Sequence, residues 1–389
     1  TDEQKTSITT AGNNINQEIK ALYDVYAVYG GGNEAAYEPA VAWNGTSGSK
    51  TQVVIEGCDY TSIQYVYGGG NAAPVPETNL LIKGNKIIDN LFGGGNGTVV
   101  GADIGYKKDG TTNQGTGNVS MNLMAGYIHN VFNGSNTNGN IRGNVSRKTV
   151  NIPSQQSYQG ECCSELYVNK FFGAGKNADI EGDLIDVIDC QQNTWIDEYY
   201  RGAENANVKG NVELTIHSGK IRKLFGGNKT KGAIFGHIIL NIEETDNCAP
   251  IIIDELYGCG NDAAYSIYGY YHAKDPDTNE LQYLDPVTKQ KPLYLPRTAE
   301  MHNMNPTDPN YVAPAENPSN DDGKHPFPYD PPVLNIVSAT HIGKVFGGGY
   351  GENGTVYGSP TVNINMIPGS HAVNGALGDI GDVYGGGKS

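Results

Sequence analysis

The sequence predicts an all-β fold, a right-handed parallel β-helix (solenoid) of about ten coils with one large loop insertion. Three observations carry the prediction. Glycine supplies 53 of 389 residues and charged residues only 17%, against ordinary shares of about 7% and about 25%, the balance of a turn-rich chain. One template recurs along the chain: an Ile or Val, two variable residues, an aliphatic or aromatic residue, a Tyr or Phe, and then a glycine-rich turn. A short run ahead of most copies alternates apolar and polar residues, as a strand with one buried face requires.

Residues 1–24 are expected to form an N-terminal cap or lead-in, because Ile15, Ile19 and Leu22 in "NINQEIKALYD" fall at helical spacing and a solenoid needs its first edge covered. Coils follow over 25–261 and resume over 333–389. The template's aromatic residue falls at Tyr29, Tyr67, Phe92, Phe132, Phe172, Tyr200, Phe225, Tyr257, Phe346 and Tyr384. Tyr67 and Phe92 are 25 residues apart, as are Tyr200 and Phe225, which sets the minimal coil. That coil reads best in "GNVELTIHSGKIRKLFGGNKTKGAIFG", from Gly210 to Gly236. Val212, Leu214 and Ile216 form a first strand, Ile221 to Phe225 a second, and Ala233 to Phe235 a third. The first strand recurs as "TQVVIEG", "TNLLIKG", "NVSMNLM", "KTVNI", "HIILNIE", "PPVLNIV" and "PTVNINM". Stacked in register about 4.8 Å apart, ten coils make a rod about 45 Å long. A leucine-rich horseshoe shares the period, but its return arm is helical or polar, whereas this one carries a second alternating strand.

The segment 262–332 interrupts the repeat with a Pro-, Tyr- and Asp-rich insertion. Insertions in solenoids fall on one face, often the functional one. The chain begins at Thr1 and stops at "VYGGGKS" without an obvious cap, as expected of a processed piece of a longer chain or surface assembly.

The glycine-rich strings are read as structural turns: Gly30, Gly31, Gly32 and Asn33; Gly68, Gly69, Gly70 and Asn71; Gly93, Gly94, Gly95 and Asn96. A phosphate loop would need a Lys-Ser/Thr or a helix start behind the glycines, which most copies lack. The expectation is positive φ at a tight corner, with the asparagines stacked as a hydrogen-bonded ladder. The calcium nonapeptide G-G-x-G-x-D is approached in "GGNGTV" and "GGYGEN", but Val99 and Asn353 stand where its Asp would be.

Candidate chemistry outside the turns is sparse. In the insertion, Asp275, Asp277 and Asn279 have the oxygen spacing that opens a calcium loop, although Glu280 replaces the turn glycine and Pro286 the last ligand. One calcium ion there is the alternative to no cofactor at all. "GDLIDVIDC" supplies Asp183, Asp186 and Asp189, which cannot all share one strand face and read as a solvated edge. Tyr265, Tyr268, Tyr270, Tyr271 and Tyr283 in the insertion, with Trp43 and Trp195 between motifs, offer rings on which sugars stack. Of these Tyr268, Tyr270, Tyr271, Tyr283 and Trp195 are the candidate ligand-binding residues, against the plainer reading that such loops pack on their own scaffold. The six cysteines show no zinc spacing. They are buried thiols or form disulfides, with Cys162 or Cys163 to Cys190 the first choice. A net charge of −16 disfavours nucleic acid and anionic membranes, and no apolar run approaches a membrane span.

With its recurring "VYGGGN" and "VFGGGN"-like strings, the chain resembles secreted or surface-displayed β-helix repeat proteins of Bacteroides-type bacteria. The resemblance covers most of the chain outside the insertion. It implies an extracellular or cell-surface location and an adhesin-like role in contact with glycans or host proteins, and it carries over no catalytic residues. The expected function is therefore a non-catalytic solenoid that displays loops for glycan or host-protein binding. The alternatives are a polysaccharide lyase or glycoside hydrolase on the same scaffold, and a structural spacer of a longer surface fibre.

Overall fold

The structure is a computed structural model describing residues 23–39, 49–108, 110, 112–149, 155–156, 162–163, 165–190, 194–234, 236–263, 265–266, 271–274, 281–284, 332–354, 356–357, 360–365 and 378–389. Two long parallel sheets dominate it. The ten-stranded sheet contains Val25–Tyr29, Ser62–Tyr67, Ile87–Phe92, Gly126–Phe132, Leu166–Phe172, Thr194–Tyr200, Gly219–Phe225, Ile251–Tyr257, His341–Phe346 and Asp379–Tyr384, in that order. The nine-stranded sheet contains Thr51–Glu56, Thr78–Gly84, Val119–Leu123, Val145–Thr149, Leu184–Ile188, Val212–Ile216, Ile238–Glu243, Val333–Ser338 and Thr361–Ile364. Neighbours in each sheet are successive coils, which is the arrangement of a parallel β-helix. The described residues include no α-helix, only one 3-10 turn at Cys58–Tyr60.

The expected third strand shrinks to a single residue per coil. Val75, Ile104, Ile141, Ile180, Val208 and Ile234 bridge one another in a parallel ladder, and each is buried. No longer strand is assigned around these residues among the described ones, so in each coil one apolar side chain closes this side of the core. In the coil from Gly210 the inward residues are Val212, Leu214, Ile216, Ile221, Leu224 and Ile234, all at most 3% exposed. The core is continuous from coil to coil, which is how units that bury little alone become stable together. Val333–Ser338 pairs directly with Ile238–Glu243, and His341–Phe346 with Ile251–Tyr257. The stack therefore runs past the insertion without a break.

All ten template aromatics form one ladder. Successive ring centroids from Tyr29 to Tyr384 lie 4.5–5.1 Å apart, with planes within 12° of parallel. The eight inner rings form a buried cluster of their own beside the main core. Asn33, Asn71, Asn96 and Asn136 form the predicted amide ladder, each Nδ2 donating to the preceding Oδ1 at 2.7–2.8 Å.

Other expectations need correction. The motif glycines from Gly30 to Gly32, Gly68 to Gly70 and Gly93 to Gly95 do not have positive φ. They are glycine because the coils touch: a Cβ on Gly69 would sit 2.8 Å from Ile104 Cδ1 and 3.0 Å from the Gly95 nitrogen. In the fourth coil the first strand is Val145–Thr149, in register with Val119–Leu123 and Leu184–Ile188, and not "KTVNI". Alternation alone did not separate the two registers, because the true one places Arg147 at an inward position. Cys190 bonds to Cys248, not to Cys162 or Cys163. Cys58 is also disulfide-bonded, whereas Cys259 is a buried thiol whose pKa burial pushes up. Finally, Tyr265 is a core residue, 2% exposed, with its hydroxyl donating to Gly236 O at 3.2 Å. Of the expected cap 1–24, residues 1–22 lie outside the described residues.

Candidate ligand-binding face

The outer face of the ten-stranded sheet is built by strand alternation. In Thr194–Tyr200, Thr194 and Ile196 are buried, so Trp195 points outward and is 38% exposed. Its register partners in adjacent coils are Tyr167 and Lys220, and beyond Tyr167 lies Tyr127. Tyr127 and Tyr167 stack face to face at 4.9 Å and 6°, which covers one face of each ring. The Asp197 carboxylate fixes the next two rings: Trp195 Nε1 donates to it at 2.7 Å and the Tyr167 hydroxyl at 2.8 Å. Burial, followed by the Asp197 carboxylate, pushes the Tyr167 hydroxyl up to about 12. At neutral pH it is a donor with a fixed orientation.

Between Tyr167 and Trp195 opens a cleft of about 310 Å³, at the small end of ligand sites. Buried Leu166 and Thr194, exposed Glu165 and Lys220, and Ala249 and Pro250 complete its wall. The wall is tied down by the Cys190–Cys248 bond, whose second half-cystine immediately precedes Ala249. A flat indole, fixed donors and one group of each charge suit a small polyhydroxylated ligand. Glu165 is the one carboxylate on the described lining, and the Asp197 carboxylate is engaged with both rings that frame it.

A second charged constellation lies inside the rod. Arg147, Asp186 and Arg201 have fully buried side chains. Asp186 Oδ2 accepts from Arg147 Nε at 3.3 Å, Arg201 Nη1 at 2.8 Å and the Tyr199 hydroxyl at 2.6 Å. Arg147 Nη2 donates to the Tyr199 oxygen at 2.8 Å, and Asn133 Nδ2 reaches Asp186 Oδ1 at 3.2 Å. The guanidinium of Arg147 also lies over the Phe171 ring, 4.2 Å from its centroid. The expected solvated edge is therefore wrong for Asp186, which faces inward from Leu184–Ile188 because its neighbours in register, Arg147 and Leu214, are core positions. The three charged side chains are fully buried, and the cluster ties the two sheets together inside the rod.

Of the residues predicted from sequence for ligand binding, Trp195 lines the cleft. Tyr268 and Tyr270 lie outside the described residues, as do Trp43 and the candidate calcium ligands Asp275, Asp277 and Asn279. Tyr271 and Tyr283 sit on the antiparallel hairpin Tyr271–Lys274 with Leu281–Leu284, where Tyr271 pairs Leu284 and His272 pairs Tyr283. Among the described residues no group of three or more His, Cys, Asp or Glu is placed to hold a metal ion. Sequence reasoning missed Tyr167 and Lys220, although a signal existed. Tyr127, Tyr167, Trp195 and Lys220 each stand five residues before their template aromatic.

A scan against protein families and searches of curated proteins and of solved structures return no match to the chain.

Proposed function

We propose that the chain is a non-catalytic, adhesin-like solenoid of the cell exterior that binds a glycan at the Trp195 cleft. The carrying observation is the cleft itself: an outward indole and tyrosine held by one carboxylate, beside a disulfide-tied wall, on a face the fold does not need to be aromatic. Sugars present apolar C–H faces to such rings and hydroxyls to the polar groups around them. The Cys190–Cys248 bond suits an oxidising compartment, and the likeness to surface-displayed repeat proteins points the same way. The insertion 262–332 remains a second candidate contact, for a host protein or for the rest of the glycan.

The test is a glycan array run beside a reducing-sugar release assay on the same ligands. Binding without release, lost in Trp195→Ala with the fold retained, supports the proposal. Release of reducing ends would favour the hydrolase or lyase alternative. Binding that survives Trp195→Ala but disappears when the insertion is deleted would move the site to the loops.

A further inference from the structure

Resting on the glycan reading, we propose that the sugar unit seated on Trp195 carries a carboxylate, as a uronic or sialic acid does, and that Lys220 pairs with it. Glu165 is in the coil before Trp195 and Lys220 in the coil after, with Trp195 and Lys220 exchanging register as direct partners. Adjacent strands are about 4.8 Å apart, so a pyranose centred on the indole carries its exocyclic carboxylate to the neighbouring strand. That strand supplies an ammonium.

Lys220 is also the unspent cation here. On its own strand, Arg222 is paired with Asp197 and Glu198, and Lys223 with Glu255. Among the described residues Lys220 makes no ion pair, and it is exposed on the cleft lining. Glu165, on the opposite side of Trp195, also has no ion pair among the described residues. Its carboxylate accepts hydroxyl hydrogen bonds and repels a second anion, which orients an acidic sugar with its charge toward Lys220. The net charge of −16 opposes a densely charged polymer. A single acidic unit at a chain end, or sparsely along a chain, fits both facts.

The experiment uses the full chain and immobilised oligosaccharides that end in glucuronic acid, galacturonic acid or N-acetylneuraminic acid, each beside its neutral counterpart. The expected result is at least about fivefold tighter binding of an acidic probe, in the range of a charge-assisted contact in a partly open site. Lys220→Met should erase that preference, Lys220→Arg should keep it, and Trp195→Ala should remove binding of both probes. Equal or tighter binding of neutral probes that still depends on Trp195 overturns the inference and leaves the glycan reading standing. An acidic preference unchanged in Lys220→Met also overturns it, as does preference for an amino sugar lost in Glu165→Gln. If folded protein binds none of the probes, the inference and the glycan reading fall together.

Discussion

Asp186→Leu should be among the most damaging single substitutions in the chain, although leucine is what the repeat places at that position. Along the nine-stranded sheet this inward position reads Val53, Leu80, Met121, Arg147, Asp186, Leu214, Leu240, Leu334 and Val362. Removing the carboxylate leaves two fully buried guanidinium groups with no counter-charge and the Tyr199 hydroxyl without its acceptor. Breaking a buried pair by deleting one partner costs about 3–5 kcal/mol, and two cations share this one anion, so a loss of about 5 kcal/mol is expected. Converting the whole cluster to the residue types of neighbouring coils is a different perturbation. Arg147→Met, Asp186→Leu, Tyr199→Phe and Arg201→Gly together leave no charge behind, and such replacements are neutral or stabilising by about 1–4 kcal/mol. Solenoids need not unfold in one step. The assay is therefore urea unfolding joined to hydrogen exchange of the strands Val145–Thr149, Leu184–Ile188 and Thr194–Tyr200. An Asp186→Leu protein within about 1 kcal/mol of wild type, or a fourfold variant as unstable as the single one, would refute this role of the carboxylate.

Other expectations follow from the same geometry. Gly69→Val should prevent stable folding, since even its Cβ would lie 2.8 Å from Ile104 Cδ1, and limited proteolysis should show the loss without any selective effect on ligand. Phe132→Ala removes a ring stacked on both faces, at 4.9 and 4.5 Å, and should cost about 3–5 kcal/mol. Tyr29→Ala, at the ladder's end with 37% exposure, should cost well under half of that in the same denaturation series. Cys190→Ser opens a bridge of sequence separation 58. Its chain-entropy cost is at most about 4 kcal/mol, and the released Ala249–Pro250 wall should weaken glycan binding more than it lowers the unfolding midpoint. A reductant titration on wild type should reproduce that order.

The architecture was legible because a coil repeats its demands at fixed intervals. The ten aromatics were found from spacing alone, and all ten stack. The asparagine ladder was legible for the same reason, since an amide can bond only to its copy one coil away. What local pattern could not supply was the reason for a residue type. Consecutive glycines suggest positive φ in any isolated loop, yet here the constraint is a neighbour 25 to 40 residues away in sequence, brought to van der Waals distance by the stack. Arg147 and Asp186 misled the reading in a related way. Charges in a strand are ordinarily outward, so one expectation placed the strand three residues late and the other put a core carboxylate in water. Both errors arise from judging a residue without the partner that neutralises it. The disulfide partner of Cys190 was equally out of reach, because it lies two coils further on.

The repeat also supplies its own control for the functional reading. At the template aromatic every coil carries Tyr or Phe, so the fold requires a ring there and no ligand need be invoked. Five residues earlier the fold accepts Lys220, Ile252, His341 and Asp379, and only Tyr127, Tyr167 and Trp195 are aromatic in successive register. The repeat itself therefore does not require a ring at that position. The buried charges occupy the same coils: Tyr199 and Arg201 follow Trp195 on its strand and at its turn, and Asp186 anchors both from the opposite sheet. A slip of one coil against the next would break the Arg147–Asp186 register pair and also separate Tyr167, Trp195 and Lys220. We therefore expect the fourfold aliphatic variant to hold its stability while binding glycan more weakly than wild type, which a titration on folded protein can measure. Unchanged affinity in that variant would mean that the cluster supports the rod alone and that the surface platform keeps its own alignment.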